Sequence, residues 1–179
     1  MQDLDTALPD RARVVIVGGG IAGASVAYHL AKLGWSEVLL LEQGRLAGGT
    51  TWHAAGTVGR LRTSSSLTKI NEYSVQLYSS LEQETGKPTG WKQVGSLIVA
   101  RCPERMTQLR RTVAMAQYLG VEASMIDTEA AHEKCPLMNT EDLLGAAWLP
   151  GDGKVQPEQT TLSLASGARA DATQKSYYS

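Results

Sequence analysis

Val15-Ile16-Val17-Gly18-Gly19-Gly20-Ile21-Ala22-Gly23 passes from a β-branched run, through a cluster of glycines, into an alanine-rich segment. Arg13 to Val17 predicts a strand buried on both faces, because a continuous apolar run leaves no polar face for water. Gly18, Gly19 and Gly20 stop that strand. From Ile21 to Leu33, Ala24, Ala27, Tyr28 and Ala31 recur at helical spacing, and Gly34 closes the helix as a C-cap. Glu37 to Leu41 reads as a second apolar strand that ends at Glu42. Strand, helix and strand in this order make a parallel, right-handed crossover unit.

Gly18-x-Gly20-x-x-Gly23 sits at the junction of the first strand and the helix. Each glycine has a mechanical role: Gly18 permits a tight turn, Gly20 lets the backbone approach a pyrophosphate, and Gly23 allows close helix–strand packing. The amides around Ile21 and Ala22 open the helix and point toward an anion, helped by the positive end of the helix dipole. Glu42 lies 19 residues after Gly23, beside Gln43 at the tip of the second strand. A carboxylate there accepts hydrogen bonds from ribose hydroxyls and repels a 2′-phosphate, which disfavours NADP. These features specify an ADP moiety, which FAD and NAD share.

The next segment separates the two dinucleotides. Arg45 to Gly56 is rich in small and hydroxyl residues and carries no strand pattern. Such a stretch can run extended along a long dinucleotide, donating backbone amides and the Thr50 and Thr51 hydroxyls. The candidate cofactor-binding residues therefore continue through Gly49, Thr50, Thr51, Trp52, His53, Ala54, Ala55, Gly56 and Thr57.

Further along, Leu67, Ile70, Ser74, Leu77, Tyr78 and Leu81 mark one face of a helix that stops at Gly86, before Pro88. Val94 to Ala100 reads as a strand, and Met106, Leu109, Val113 and Ala116 as a helix ended by Gly120. Thr128 to Cys135 is a short helix, and Leu144 to Leu149 is a strand before the turn Pro150-Gly151-Asp152-Gly153. Pro157 suits the first turn of a last helix reaching about Ala170. From 171 to 179 the chain is polar and supplies no central strand, so the architecture is expected to stop partway.

The 179 residues carry a formal net charge of −1, which gives no electrostatic reason to expect nucleic acid or an anionic membrane as partner. No apolar run approaches the roughly 20 residues that span a bilayer. Met1 to Ala12 contains three acidic side chains and has the character of neither a signal nor a transit peptide. A soluble intracellular protein is expected. Cys102 and Cys135 show no metal-ligand spacing and read as reduced thiols, and no metal site is expected. His29, His132, Trp91, Trp148 and the Arg105, Arg110, Arg111 group read as structural or surface residues. Trp52 reads as a packing residue that lies near the flavin at most.

The glycine motif with Leu40-Leu41-Glu42 resembles the D-amino-acid-oxidase-type FAD superfamily. Gly49-Thr50-Thr51-Trp52-His53-Ala54-Ala55-Gly56 is similar to the dimethylglycine dehydrogenase and sarcosine dehydrogenase branch. So are Leu81 to Gly86, Pro136-Leu137-Met138-Asn139 and Pro150 to Gly153. The resemblance runs from about Arg13 to Ala170. It implies an α/β fold: an FAD-binding Rossmann-like βαβ unit followed by the beginning of a mixed α+β substrate domain, truncated. The implied organisation is a tail over 1–12 and a partial oxidoreductase domain over 13–170. Within that domain, 13–66 bind ADP and FAD, 67–150 begin the substrate elements, and 151–170 form a return helix. A divergent tail covers 171–179.

The resemblance also implies that His53 carries FAD covalently through the 8α-methyl of the isoalloxazine. An imidazole nitrogen is a reasonable nucleophile toward an activated flavin methyl. The implied reaction is oxidation of a small-molecule amine such as dimethylglycine or sarcosine, by hydride transfer from the N-methyl carbon to flavin N5. The implied electron acceptor is an electron-transfer flavoprotein, and the implied compartment is the mitochondrial matrix. No catalytic acid or base stands out. Arg60 and Arg62 are the nearest cationic candidates for a substrate carboxylate, and little activity is expected of this length of chain alone. The alternative is a non-catalytic FAD-fold regulatory protein resembling the pyruvate dehydrogenase phosphatase regulatory subunit, although that relative lacks the motif's histidine.

Overall fold

The computed structural model describes residues 9–170, so the expected tail at 171–179 and most of the N-terminal tail lie outside the described residues. The elements begin with β1 (Val14–Val17), α1 (Ile21–Lys32), β2 (Val38–Leu41), a 3₁₀ turn (Thr50–His53), β3 (Thr57–Val58), α2 (Ser65–Thr85) and β4 (Ser96–Ala100). They continue with α3 (Pro103–Tyr118), β5 (Ser124–Ile126), α4 (Thr128–Lys134), β6 (Gly145–Leu149), β7 (Gly153–Lys154) and α5 (Pro157–Ala170). The chain folds as two compact units. The first gathers the chain up to Gly56, Leu77–Trp91 and the chain from Val155. The second gathers Thr57–Gln76 and Lys92–Lys154.

In the first unit, β1 and β2 pair in parallel, with Val14 opposite Val38 and Val17 opposite Leu41. Crossover helix α1 buries Ala24, Ala27, Tyr28 and Ala31 in one core cluster with Leu40, Leu77, Leu81, Leu164, Ala165 and Ala168. Small residues on α1 and α5 bring the two helices close. Gly167 sits under the Tyr28 ring, and a Cβ there would lie 2.8 Å from Tyr28 Cδ2. The buried leucines each contribute about 1.5–3 kcal/mol of transfer free energy.

β1 departs from expectation. Its burial alternates, and Val15 and Val17 are 52% and 84% exposed. Only the face carrying Ile16 packs against the core cluster. A β-branched run reads the same whether one face or both are covered, so periodicity could not decide the point.

A polar clasp joins α1 to the C-terminal turns of α2. The Tyr28 hydroxyl and the Lys32 ammonium both donate to Glu84 Oε2, at 2.7 and 2.6 Å, and Ser80 donates to Glu84 Oε1 at 2.7 Å. Nearby, the Thr85 and Ser163 hydroxyls lie 2.6 Å apart and bind each other.

In the second unit, β4 and β5 flank β6 in an antiparallel sheet, and α3 contributes Leu109, Val113 and Ala116 to its core with Ala147 and Leu149. The Asp127 carboxylate caps α4 by accepting from the Ala130 amide at 2.9 Å. Three strands escaped the sequence reading. β5 has three residues, and β3 and β7, which pair antiparallel, have two each. Such lengths carry no measurable alternation. The strand expected from Val94 begins at Ser96, because Gly95 adopts φ +72° and its missing Cβ makes room for the Trp148 ring.

Candidate functional site: a glycine loop, its acid and the turn bearing His53

Gly18 and Gly23 carry the backbone and packing constraints that the motif assigns them. Gly18 has φ +106°, and no heavy atom lies within 4 Å of where its Cβ would stand, so the backbone conformation is what requires glycine there. A Cβ on Gly23 would sit 1.9 Å from the Gly18 carbonyl oxygen and 3.4 Å from Ile16 Cγ2. The close approach is therefore chiefly between the loop and the first helical turn, and secondarily between helix and strand. At Gly20 a Cβ would lie 3.0 Å from Thr51 Oγ1.

Gly19, which the motif spacing leaves free, is constrained as tightly as its neighbours. Its Cβ would stand 2.4 Å from Leu46 Cδ2 and 3.0 Å from Glu42 Cβ. Its amide donates to Glu42 Oε2 at 2.6 Å, and its carbonyl accepts from the Ala47 amide at 2.9 Å. The three-glycine run was the available signal, but the motif template treats its middle position as free.

Glu42 stands at the end of β2, as the sequence indicates. Its two oxygens accept from the Gly19 and Gly44 amides, at 2.6 and 3.1 Å. Each carboxylate oxygen offers two lone-pair directions, so the group can receive ribose hydroxyls as well. Gln43 follows in an exposed bend.

The start of α1 is suited to an anion. Gly20 occupies the cap position without a side-chain cap, and the first turn carries no acidic residue. The Ile21 amide, expected to face the phosphates, donates instead to Thr51 Oγ1 at 3.0 Å. Thr51 is buried, and its hydroxyl oxygen accepts at that position while its proton remains able to donate. Ala22 lies exposed one position on.

The segment from Arg45 to Gly56, expected to be extended, is compact instead. Arg45 to Gly48 turn tightly, with the Gly48 amide donating to the Arg45 carbonyl at 3.0 Å and Ala47 at φ +61°. Gly49 caps the 3₁₀ turn Thr50–His53, which the Ala54 amide closes onto the Thr51 carbonyl at 3.1 Å. Thr50, Trp52, His53, Ala54 and Ala55 are exposed. The rings of Trp52 and His53 lie 4.0 Å apart between centroids, so Trp52 is an exposed neighbour of the histidine rather than a packing residue.

Gly56 is buried with φ +76°, and its carbonyl accepts from the Val155 amide at 2.9 Å. A Cβ would stand 2.2 Å from the Val155 carbonyl oxygen, so this glycine answers to the fold. Thr57 belongs to the second unit, in β3 opposite Lys154. The structure thus gathers the glycine loop, Glu42, Thr51 and the His53 turn in the first unit, and leaves Thr57 outside that group.

The second unit contains a cavity of about 470 Å³, within the usual range of small-molecule sites. Leu61, Ile98, Met115 and Leu149 supply its apolar lining, and Arg62, Ser96, Asp152, Thr57 and Thr112 its polar groups. Asp152 is 5% exposed; its Oδ1 accepts from the Arg60 amide at 2.8 Å and its Oδ2 from the Ser96 hydroxyl. The Arg62 guanidinium donates to the Leu61 carbonyl at 2.9 Å. Arg60 turns its guanidinium onto Gly151 and leaves its buried Nε without a partner. In the sequence, Asp152 is legible only as a turn residue.

His29 binds Ser25 within α1, and His132 approaches the Met138 carbonyl at 3.4 Å. Trp148 packs over Gly95, with the Lys134 ammonium 5.3 Å from its ring. Among the described residues no cluster of His, Cys, Asp and Glu has the makings of a metal site, and no helix is long and apolar enough to cross a membrane.

Residues 13–174 match the family model described as DAO, FAD dependent oxidoreductase. Over 168 residues the chain is 44% identical to the mitochondrial pyruvate dehydrogenase phosphatase regulatory subunit of Mus musculus, covering 94% of this chain and 19% of that protein. Over 160 residues it is 42% identical to the mitochondrial dimethylglycine dehydrogenase of Rattus norvegicus, covering 89% of this chain and 19% of that one. The chain therefore spans about a fifth of the length of these curated relatives. In structure it is similar to L-proline dehydrogenase from P. horikoshii, with a TM-score of 0.87 and 27% identity over 96% of this chain and 44% of that chain.

Proposed function

Because the chain belongs to the family of FAD dependent oxidoreductases, we propose that it supplies the dinucleotide grip of a flavoenzyme that oxidatively demethylates N-methylated glycines. The observation that carries this reading is the conjunction, in one unit, of the Gly18–Gly23 loop, an acid-free helix start and the Glu42 carboxylate against the loop. These residues fit the ADP end of FAD. Gly18, Gly20 and Gly23 let the backbone lie close to the pyrophosphate, the positive end of the α1 dipole meets its charge, and Glu42 meets the ribose. Gln43 and the stretch Gly49 to Gly56 border the rest of the nucleotide. Bound FAD supplies the hydride-accepting chemistry.

His53 is the proposed covalent attachment point. It is exposed on a short turn that Thr51 anchors to the start of α1. Acid precipitation of FAD-loaded protein tests this: flavin should remain in the pellet of wild type and leave it in His53→Ala. Flavin released entirely from wild type would refute covalent attachment, and absence of flavin binding in any form would remove the cofactor reading with it.

Arg62 is the proposed carboxylate-binding residue, preferred to Arg60 because Arg62 lines the cavity of the second unit. The amine substrate, an electron-transfer flavoprotein as acceptor and a mitochondrial location follow from the dehydrogenase-like branch. The similarity to the phosphatase regulatory subunit supports a second, non-catalytic reading. Covalent flavin at His53 favours the dehydrogenase, and its absence favours the regulator.

A further inference from the structure

Asp152 is buried in the wall of a ligand-sized cavity, yet both donors that reach its carboxylate are neutral, the Arg60 amide and the Ser96 hydroxyl. Among the described ion pairs none involves Asp152 or Arg62, so the two charged groups of the wall stand apart rather than neutralising each other. Gly59 explains the gap. A Cβ on Gly59 would lie 3.2 Å from Asp152 Oδ2 and 3.5 Å from Arg62 Nη1, so both groups face the space that glycine leaves open. A cationic ligand group entering the space beside Gly59 gains a charge-assisted hydrogen bond to a carboxylate whose two described donors are both neutral.

The geometry points to Asp152 as the amine-recognising residue of the cavity. A small zwitterionic amino acid, N-methylated or not, binds with its carboxylate on Arg62 and its cationic nitrogen on Asp152. This inference rests on the proposed role of Arg62. The separation suits such a ligand: the two groups are too far apart to pair directly and close enough for a few heavy atoms to bridge them. Each Asp152 oxygen keeps a lone pair for an ammonium donor beyond its existing bond. The apolar wall of Leu61, Ile98 and Met115 accommodates N-methyl groups at little cost.

The test is a titration of the purified 179-residue chain, followed by amide shifts, with sarcosine and with butyrate, which has the same shape and carboxylate but no nitrogen. Sarcosine should bind about tenfold more tightly, the scale of one charge-assisted hydrogen bond. Asp152→Asn keeps an acceptor for the Arg60 amide and a donor for Ser96, and should bring the two ligands to equal affinity. Gly59→Ala should weaken both alike by filling the gap. Equal binding by wild type, abolished for both ligands in Arg62→Ala, overturns the role of Asp152 and leaves the carboxylate reading intact. Binding of neither ligand overturns both. Should Asp152→Asn fail to fold, the wild-type pair decides alone, because butyrate binding as tightly as sarcosine refutes the inference.

Discussion

Tyr28 donates its hydroxyl proton to Glu84 Oε2 across 2.7 Å, joining two residues that are 56 positions apart in the chain. The ring of Tyr28 is buried against Gly167 while its hydroxyl reaches the edge of the core, where Lys32 shares the same carboxylate oxygen. Tyr28→Phe keeps the ring and removes the donor. Urea unfolding should show a loss of about 1 kcal/mol, because the hydrogen bond is charge-assisted but the carboxylate is partly exposed. An unchanged midpoint would mean that water replaces the contact at no cost.

The same clasp makes stability depend on pH in a definite direction. The Lys32 ammonium, and then the Tyr28 and Ser80 hydroxyls, hold the Glu84 carboxyl down to about 2. An unfolded glutamate titrates near its ordinary value of about 4.3, so the stabilisation is complete above that value and lost as pH falls from there toward 2. On the alkaline side the Lys32 ammonium is raised by its bond to Glu84, and the Tyr28 hydroxyl is pushed up to about 12 by burial and then by Glu84. Those contributions are complete below the ordinary values, about 10, and are lost as pH climbs beyond them. Glu84→Gln should flatten the acid limb of a stability–pH curve, and an unaltered limb would assign that limb to other carboxylates.

Gly23→Ala should lower FAD affinity at least about tenfold and reduce stability, since the new methyl would meet the Gly18 carbonyl at 1.9 Å and force the loop from the helix. Gly44→Ala is the control. Its Cβ would meet nothing nearer than Glu42 Oε1 at 4.0 Å, and stability should stay within about 0.5 kcal/mol. Equal FAD binding by both variants would show that the loop relaxes freely.

Gly95→Ala should cost more than about 2 kcal/mol in chemical unfolding. The residue holds φ +72°, and a Cβ would stand 1.9 Å from Trp148 Cη2. Trp148→Leu in the same background should recover part of that loss by making room, and no recovery would assign the cost to the backbone alone.

Leu164→Ala removes a side chain with no exposed surface from the α1–α5 core and should destabilise by about 2–5 kcal/mol, read from the urea midpoint. A smaller change would indicate that the alanine-lined helices close over the void.

The crossover unit was legible in the sequence because its signals are local and strong: a β-branched run, glycines that admit one backbone path, and alanines at helical spacing. The His53 stretch was legible as a motif but not as a shape, since small residues without periodicity accept either an extended path or the tight turns that Ala47 and Thr51 make here. Gly19 escaped because its constraint comes from Leu46 and Glu42, more than twenty residues on. Asp152 and Arg62 look like a turn residue and a surface cation until β4, β6 and the loop after β3 close around one space, which no spacing along the chain records. The alternation of units along the chain was equally hidden, because both uninterrupted faces of α2 look alike to a helical period although it serves one unit up to Gln76 and the other from Leu77.

The contact between α1 and α5 has a consequence for synthesis. Helix α1 comes early in the described chain, yet the partner that covers Ala24, Ala27 and Tyr28 ends at Ala170. While the chain emerges from the ribosome, that alanine-lined surface stays uncovered until nearly the last described residue is available. Premature termination or stalling before that point leaves a nascent strand–helix–strand segment without its lid, a natural target for chaperones.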